Sequence, residues 1–313
     1  MRVPEYRVRL FLSVDLTGST AYKHKKQNTL EWIKAFQAFY GQFPRILSEK
    51  YAEACNLSPS ITQYEISNGE PKLWKTVGDE ILFCCRLYSH CHLGAAISAF
   101  IESLKDFGVT AKTYELNTKG NAWVGSFPSP NCSIMPIKKN GGDTEDSLNG
   151  KNDIPTEDNE LRVDAEPSNF DFLGKGIDAG FRISKNSAID TLTISPGLGI
   201  LLAQAAGSHR VTGFKRSIRL VEMQVFKGVA NDSPYPVLTI DTSRDDRHET
   251  LLIQQRELLG QPKPPANDEL EKYLVSYLDY NGIEIPKIKS TYNEENLILL
   301  SFIVNTARTG IES

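Results

Sequence analysis

Long apolar runs are missing from this chain of 313 residues. No stretch approaches the ~18 consecutive apolar residues that a bilayer span requires, so no membrane-spanning helix and no membrane partner are expected. The opening stretch MRVPEYRVRLFLSVDLTG also lacks the marks of a signal peptide. Its apolar run is short, alternates with Arg, and is not followed by a small-residue cleavage site. There is no excess of positive charge: 35 Lys+Arg stand against 39 Asp+Glu, a formal net charge of -4. With no whole-chain basic field, nucleic acid is not an expected partner, and no long basic run points to a membrane surface. Cysteine is sparse. The five residues Cys55, Cys84, Cys85, Cys91 and Cys132 form no framework spacing, and an odd count argues against a secreted disulfide scaffold. Cys84, Cys85 and Cys91 lack the CxxC pairs of a zinc site and read as buried small apolar residues. From these absences a soluble, cytoplasmic protein is expected.

The residues that are present organise the chain into alternating elements. Residues 7–15 (RVRLFLSVD) alternate polar and apolar and then turn fully apolar, which reads as a strand entering the core. A helix is expected from about Thr29, with Trp32, Phe36, Phe39, Tyr40 and Phe43 near helical spacing. The runs 72–77 and 80–85 are separated only by Gly78-Asp79, which predicts a tight β-hairpin with an aspartate at its tip. A helix over 88–106 and strands near 109–116 and 121–126 follow. Residues 128–160 are rich in Pro, Gly, Asn and Asp and poor in large apolar side chains. Such a segment buries too little surface to offset chain entropy, so a flexible insertion is placed at about 128–168. Order resumes over 170–186, with a helix starting near Gly176, a short strand at 190–194, and a helix opened by Ser195-Pro196. Strands near 218–226 and 236–240 close a domain spanning 1–240. Residues 241–313 form a C-terminal, largely helical extension. The fold class is α+β with a mainly antiparallel sheet.

Two acidic residues carry the chemistry. Asp15 ends a buried strand and is followed by Leu16-Thr17-Gly18-Ser19-Thr20. Alone it would be an ordinary turn-former or helix cap. Gly18, Ser19 and Thr20 change that reading, because backbone N–H groups and hydroxyls at a helix start suit a triphosphate. Asp79 alone is an ordinary hairpin tip. Two acids on neighbouring strands of one sheet edge suit Mg²⁺ or Mn²⁺ bound together with substrate phosphates. Two ions so held can stabilise the attacking and leaving oxygens of a phosphoryl displacement.

The motifs FLSVDLTGST, WKTVGDEILF and GKGIDAGFRIS, in that order, resemble those of the class III nucleotidyl cyclases over roughly residues 7–230. The resemblance implies a ferredoxin-type βαββαβ core. It makes Asp15 and Asp79 the ligands of two Mn²⁺ or Mg²⁺ ions, with the carbonyl of Leu16 as a further ligand. It makes Arg182 the group that stabilises charge on the transferring phosphoryl, with Asp178 on the same helix face four residues earlier. Asp178 departs from the Asn found in many members and could instead pair with Arg182 or hold a water. Lys75 and Asp171 fall at the two base-reading positions, and Lys227 at a lysine that contacts the terminal phosphates. A solvated strand-end lysine is the ordinary alternative for Lys227, and a surface salt bridge is the alternative for Asp178 and Arg182. The family builds each site from two chains, one supplying the metal aspartates and the other the base-reading pair and the arginine. This chain carries both sets, so a head-to-tail homodimer with two equivalent sites is implied, Arg182, Lys75 and Asp171 facing the partner's aspartates.

A Lys donor beside an Asp acceptor suits the edges of adenine and cytosine, serves uracil with the partners exchanged, and is poor for guanine. Each buried polar match is worth up to ~10⁴-fold in discrimination. The segment FDFLGKGIDAGFRISK is most similar to the pyrimidine cyclases of the Pycsar antiphage systems. That resemblance implies conversion of CTP or UTP to the 3′,5′-cyclic nucleotide and diphosphate, with the product read by a separate effector. A bacterial adenylyl cyclase making cyclic AMP and an inactive, cyclase-like nucleotide-binding scaffold are the competing readings. The intact Asp15, Asp79 and Arg182 argue against the scaffold.

Overall fold

The computed structural model describes residues 2–25, 29–136, 156–207, 214–242 and 246–288. In chain order its elements are β1 (Arg7–Thr17), α1 (Ser19–Lys25), α2 (Thr29–Asn56), α3 (Gln63–Gly69), β2 (Lys72–Val77), β3 (Glu80–Leu87), α4 (His90–Thr113), β4 (Asn117–Phe127), β5 (Cys132–Ile134), α5 (Glu157–Ala165), β6 (Asp171–Leu173), α6 (Lys175–Ile183), β7 (Thr191–Ile194), α7 (Pro196–Gly207), β8 (Ile218–Val225), β9 (Pro234–Asp241), α8 (Asp246–Leu258) and α9 (Asn267–Tyr280). Seven strands form one sheet in the order β2-β3-β1-β4-β7-β9-β8. Every neighbouring pair is antiparallel except β4 and β7. Read from β4, the first four strands run β4-β1-β3-β2, with a helix between β1 and β2 and another between β3 and β4. That is the ferredoxin-type βαββαβ arrangement within an α+β fold.

The strand period of two divides β1 between two cores. Val8, Leu10, Leu12 and Val14 face α2, α4 and α7, where they join Phe39, Phe43, Phe100 and Leu198. Phe11 faces the other way, into an aromatic cluster with Trp74, Trp123, Phe127 and Phe172. Arg7, Arg9, Ser13 and Asp15 share that second face with Phe11. The polar half of β1 therefore looks not to solvent but into a layer made by α5, β6 and α6.

Two expectations are corrected. The strand near 109–116 is the last turn of α4, which runs to Thr113. Phe107 and Ala111 continue its buried stripe, and the Leu116 amide reaching the Ala111 carbonyl at 2.9 Å closes the helix. The β-branched Val109 in that run sits exposed on the outer face. The second correction concerns the insertion at 128–168. Its two described ends are built: β5 pairs with β6, and α5 is capped by Thr156, whose hydroxyl accepts from the Asn159 amide. Within 157–164, Glu160 and Val163 are each 1% exposed. What buries them is charge. The Arg7 and Arg9 side chains, both 0% exposed, receive Glu157, Glu160 and Asp164. Residues 137–155 lie outside the described residues.

The C-terminal helices are joined to the domain. Leu270, Leu274 and Leu278 of α9 are buried in the same cluster as Leu10. Gly199 of α7 permits this contact, since a Cβ there would come within 2.6 Å of Leu238 and 3.0 Å of Leu274. No described helix is long and apolar enough to cross a membrane. The five cysteines are free, and the paired Cys84 and Cys85 are buried.

Candidate functional site

Strand register assembles the acidic end of the sheet. Asp15 lies across from Glu80 on β3 and from Lys119 on β4. All three side chains fall on the face shared with Ser13. Asp79 is brought alongside by the hairpin turn: the Leu16 amide donates to the Asp79 carbonyl at 3.1 Å, and the buried Ser19 hydroxyl donates to the Asp79 carboxylate. Gly78 and Gly18 have φ of +62° and +90°, which L side chains rarely adopt, so both turns need glycine. The Tyr40 hydroxyl donates to the Gly78 carbonyl and pins the tip. Thr20 is exposed on α1.

The electrostatics of this end favour a cation. Burial holds the Asp15 carboxyl above its ordinary value; Lys119, 3.2 Å away, opposes the shift and Asp79 adds to it. Burial also raises Glu80. The Ser13 hydroxyl bonded to it works against that rise, while the charges of Asp15 and Asp79 reinforce it. Crowded carboxylates at a sheet end bind hard divalent ions through oxygen. Among the described residues no group of three or more His, Cys, Asp and Glu converges as a complete metal site. Two carboxylates and a carbonyl would thus leave positions for phosphate oxygens, as Mg²⁺ sites commonly do. The Thr17 hydroxyl is buried with no hydrogen-bond partner, an orphaned group one residue before the Gly18 turn. Glu80, Lys119 and Thr17 escaped sequence reasoning. Thr17 and Glu80 were visible beside the motif aspartates, but Lys119 reaches Asp15 only through register.

Lys75 and Asp171 meet. The Lys75 ammonium donates to Asp171 Oδ1 at 2.8 Å, and both side chains remain about one-third exposed (35% and 38%). A β-bulge between Leu73 and Lys75 sets this up. It places an extra residue, Trp74, against one position of β3, so Trp74 and Lys75 point to the same face. Trp74 is buried, donates from its indole to the Phe170 carbonyl at 3.1 Å, and lies 4.2 Å from the Lys75 ammonium. Phe172 packs edge-on against Trp74 and Phe11. The pair is thus fixed by an aromatic floor and left open above.

α6 crosses the same face. Gly180 lies on Trp123, where a Cβ would fall 2.3 Å from the indole, and the Asn121 side chain donates to the Gly180 carbonyl at 3.4 Å. Asp178 and Arg182 are exposed on the outer side of the helix, and no ion pair joins them among the described residues. Lys227 is exposed in the turn after β8. β8 is the edge strand furthest from β2, and its Val225 end lies opposite the Asp15 end of the sheet. Four inter-strand steps and seven residues of rise put Lys227 on the order of 30 Å from Asp15. One chain therefore cannot bring Lys227 and the two aspartates onto the same triphosphate.

No family model matches the chain, and no curated protein matches it. Solved structures similar to it include the adenylyl cyclase CyaB from P. aeruginosa, at 13% identity, covering 77% of this chain and 97% of that one with a TM-score of 0.48. The guanylate cyclase domain of RhGC from Catenaria anguillulae, in complex with GTP, matches at 11% identity over 75% of this chain and 97% of that one, also with a TM-score of 0.48. The guanylyl cyclase Cya2 matches at 16% identity over 76% and 92%, with a TM-score of 0.45. Identities this low and scores below 0.5 say nothing about activity.

Proposed function

We propose that this chain is a nucleotidyl cyclase whose site is completed by a second copy. The observation that carries the reading is the pairing, on one sheet face, of an acidic end holding Asp15 and Asp79 with an open Lys75–Asp171 pair seated on aromatic residues. Asp15, Asp79 and the Leu16 carbonyl would hold two Mn²⁺ or Mg²⁺ ions, which supply charge stabilisation and an acidified ribose 3′-hydroxyl. The Gly18 turn, with Ser19 behind it, orients the phosphates. Lys75 donates to and Asp171 accepts from the edge of the base, fixing the nucleotide so that the hydroxyl attacks in line. Arg182 and Lys227 bring positive charge to the transferring and leaving phosphates, and Asp178 holds a water. Because Lys227 lies so far from its own aspartates, the dimer supplies it in trans. The substrate is read as CTP or UTP, with the cyclic product a signal of infection for a separate effector; that reading rests on segment 170–185. An adenylyl cyclase is the second reading, favoured by the same donor–acceptor pair.

The test is incubation of the purified protein with each of the four nucleoside triphosphates and Mn²⁺, followed by chromatographic identification of products. Cyclic CMP or cyclic UMP as the main product supports the proposal. Cyclic AMP as the main product would replace the pyrimidine reading. No cyclic product from any triphosphate, with either Mn²⁺ or Mg²⁺, would refute cyclase activity.

A further inference from the structure

A cavity of about 490 Å³ lies between β4, the start of α6, the turn after β8, and residues 278–286. Its volume is that of a small-molecule site. It is remote from the aspartates: Gly125 and Ser126 on its wall are six and seven residues along β4 from Lys119, roughly 20 Å away at ~3.3 Å per residue. α6 also stands between it and the Lys75–Asp171 pair. Phe181 leans toward Trp74 on one flank, and Ala179 lines the cavity on the other.

Most of the wall is apolar, including Ala179, Val229, Leu278 and Ile283. Polar side chains line it too, and those of Tyr235 and Lys175 have no hydrogen-bond or ion-pair partner among the described residues. Tyr235 is 5% exposed, and its hydroxyl has no hydrogen-bond partner among the described residues, although neighbouring Tyr277 donates to the Pro234 carbonyl. Unlike the Thr17 hydroxyl, it is not sealed off but open to the cavity, where a ligand acceptor or donor could bind it. Lys175, the first residue of α6, has no ion-pair partner among the described residues. It adds a full positive charge to the positive end of a nine-residue helix. The only acid on the wall, Glu284, is already occupied. Burial raises its carboxyl, while Tyr6, Ser126 and Lys287 draw it down by hydrogen bonding and charge. The unspent charge of the cavity is therefore positive.

We propose that this cavity is a second binding site, separate from the aspartates, for a small organic anion with an apolar body, held by the Lys175 ammonium and the Tyr235 hydroxyl. Such a ligand would tie residues 278–286 to the turn that follows Lys227 and to the helix that carries Arg182. Its occupancy would then bear on the nucleotide site without overlapping it.

Anilinonaphthalene sulfonate is a suitable probe, since it joins an aromatic body to one fixed anion and fluoresces in apolar surroundings. The full chain should bind one probe per chain saturably. Decanoate should displace it, whereas decylamine and nucleoside triphosphate with Mg²⁺ should not. Lys175→Glu should weaken binding roughly tenfold or more, and Tyr235→Phe several-fold, with the circular dichroism spectrum unchanged. Both variants leave the groups assigned to cyclisation intact, so loss of probe binding does not depend on any cyclase activity. The proposal is overturned if the folded wild-type chain shows no saturable binding, or if decylamine competes as well as decanoate. It is also overturned if triphosphate displaces the probe, or if both folded variants bind within about twofold of wild type.

Discussion

Replacing Asp164 by Ala removes the acid on which three arginines converge. Its Oδ1 accepts from Arg9 Nη2 at 2.6 Å and from Nε at 2.9 Å; its Oδ2 lies 2.8 Å from Arg7 Nη1 and 3.6 Å from Arg86. The Arg7 and Arg9 side chains are fully buried, so neither charge can turn to water in the variant. Glu157 and Glu160 would remain, one per arginine, so Arg7 and Arg9 each lose a second partner, and the layer is left one negative charge short. Breaking a buried pair from one side costs about 3–5 kcal/mol, most of it the penalty of the charge left behind. With a urea slope near ~3 kcal/mol/M, the upper end that suits a chain of this size, the unfolding midpoint should fall by on the order of 1–2 M. The damage should be local as well as global. Arg9 also stacks over Phe127 at 4.7 Å and reaches Phe172 at 5.7 Å, and Phe172 follows Asp171. Loosened docking of α5 should therefore raise amide hydrogen exchange through 157–173 before the main sheet opens. A midpoint within ~0.3 M of wild type would refute the claim that this network holds the layer. Lost stability with unchanged exchange over 157–173 would show that the acids stabilise the core without anchoring Asp171.

His92 gives the chain an acid sensitivity unconnected with the site. Burial lowers its pKa to about 4; its Nε2 sits 2.9 Å from the Gly69 carbonyl, and its ring packs edge-on against Tyr51. The unfolded chain takes up this proton near the ordinary value of ~6.5 and the folded chain only near 4, so stability is full above ~6.5 and falls as pH drops between the two. At pH 5 the loss should be on the order of 2 kcal/mol by urea titration, and a His92→Gln variant should lose less; equal slopes for the two would refute the assignment. The shared site can be tested by mixing. Asp79→Ala and Arg182→Ala chains, each inactive alone, should regain roughly a quarter of wild-type turnover once randomly paired, because half the dimers then carry one intact site. Heterodimers that form and stay inactive would count against assembly from two chains.

Much of the fold could be read from the chain because the signals were local. The β1 pattern, the Gly78-Asp79 hairpin, the helix near Gly176 and the Ser195 cap each depend on a few adjacent residues; the Leu198 amide reaches the Ser195 hydroxyl at 3.3 Å. The misread parts depend on distant partners. Arg7 and Arg9 read only as the polar positions of a strand, and Glu157, Glu160 and Asp164 fall in the segment expected to be a flexible insertion. Each set is buried only because the other, about 150 residues away, neutralises it. Periodicity carries no information on that match. The 109–116 error has the opposite origin: a local β-branched preference yielded to the packing of Phe107 and Ala111 on the core.

The site was legible as a set of residues rather than as an arrangement, and the difference lies in register. Asp15 and Asp79 stand out because each ends a recognisable strand or turn. Their setting does not, since Glu80 and Lys119 become neighbours of Asp15 only when β3 and β4 pair with β1 at the observed alignment. A shift of one residue would turn Asp15 and Ser13 into the α2–α4 core and expose Val14. The Trp74 bulge has the same importance on β2, because without the extra residue Lys75 would face away from Asp171. Register also argues for a second chain. The pairing steps that place Asp15, Lys119 and Asp241 at one end, three antiparallel and the β4–β7 step parallel, send Val225, and hence Lys227, to the other. If one triphosphate needs both ends of this sheet, two sheets must face each other head to tail.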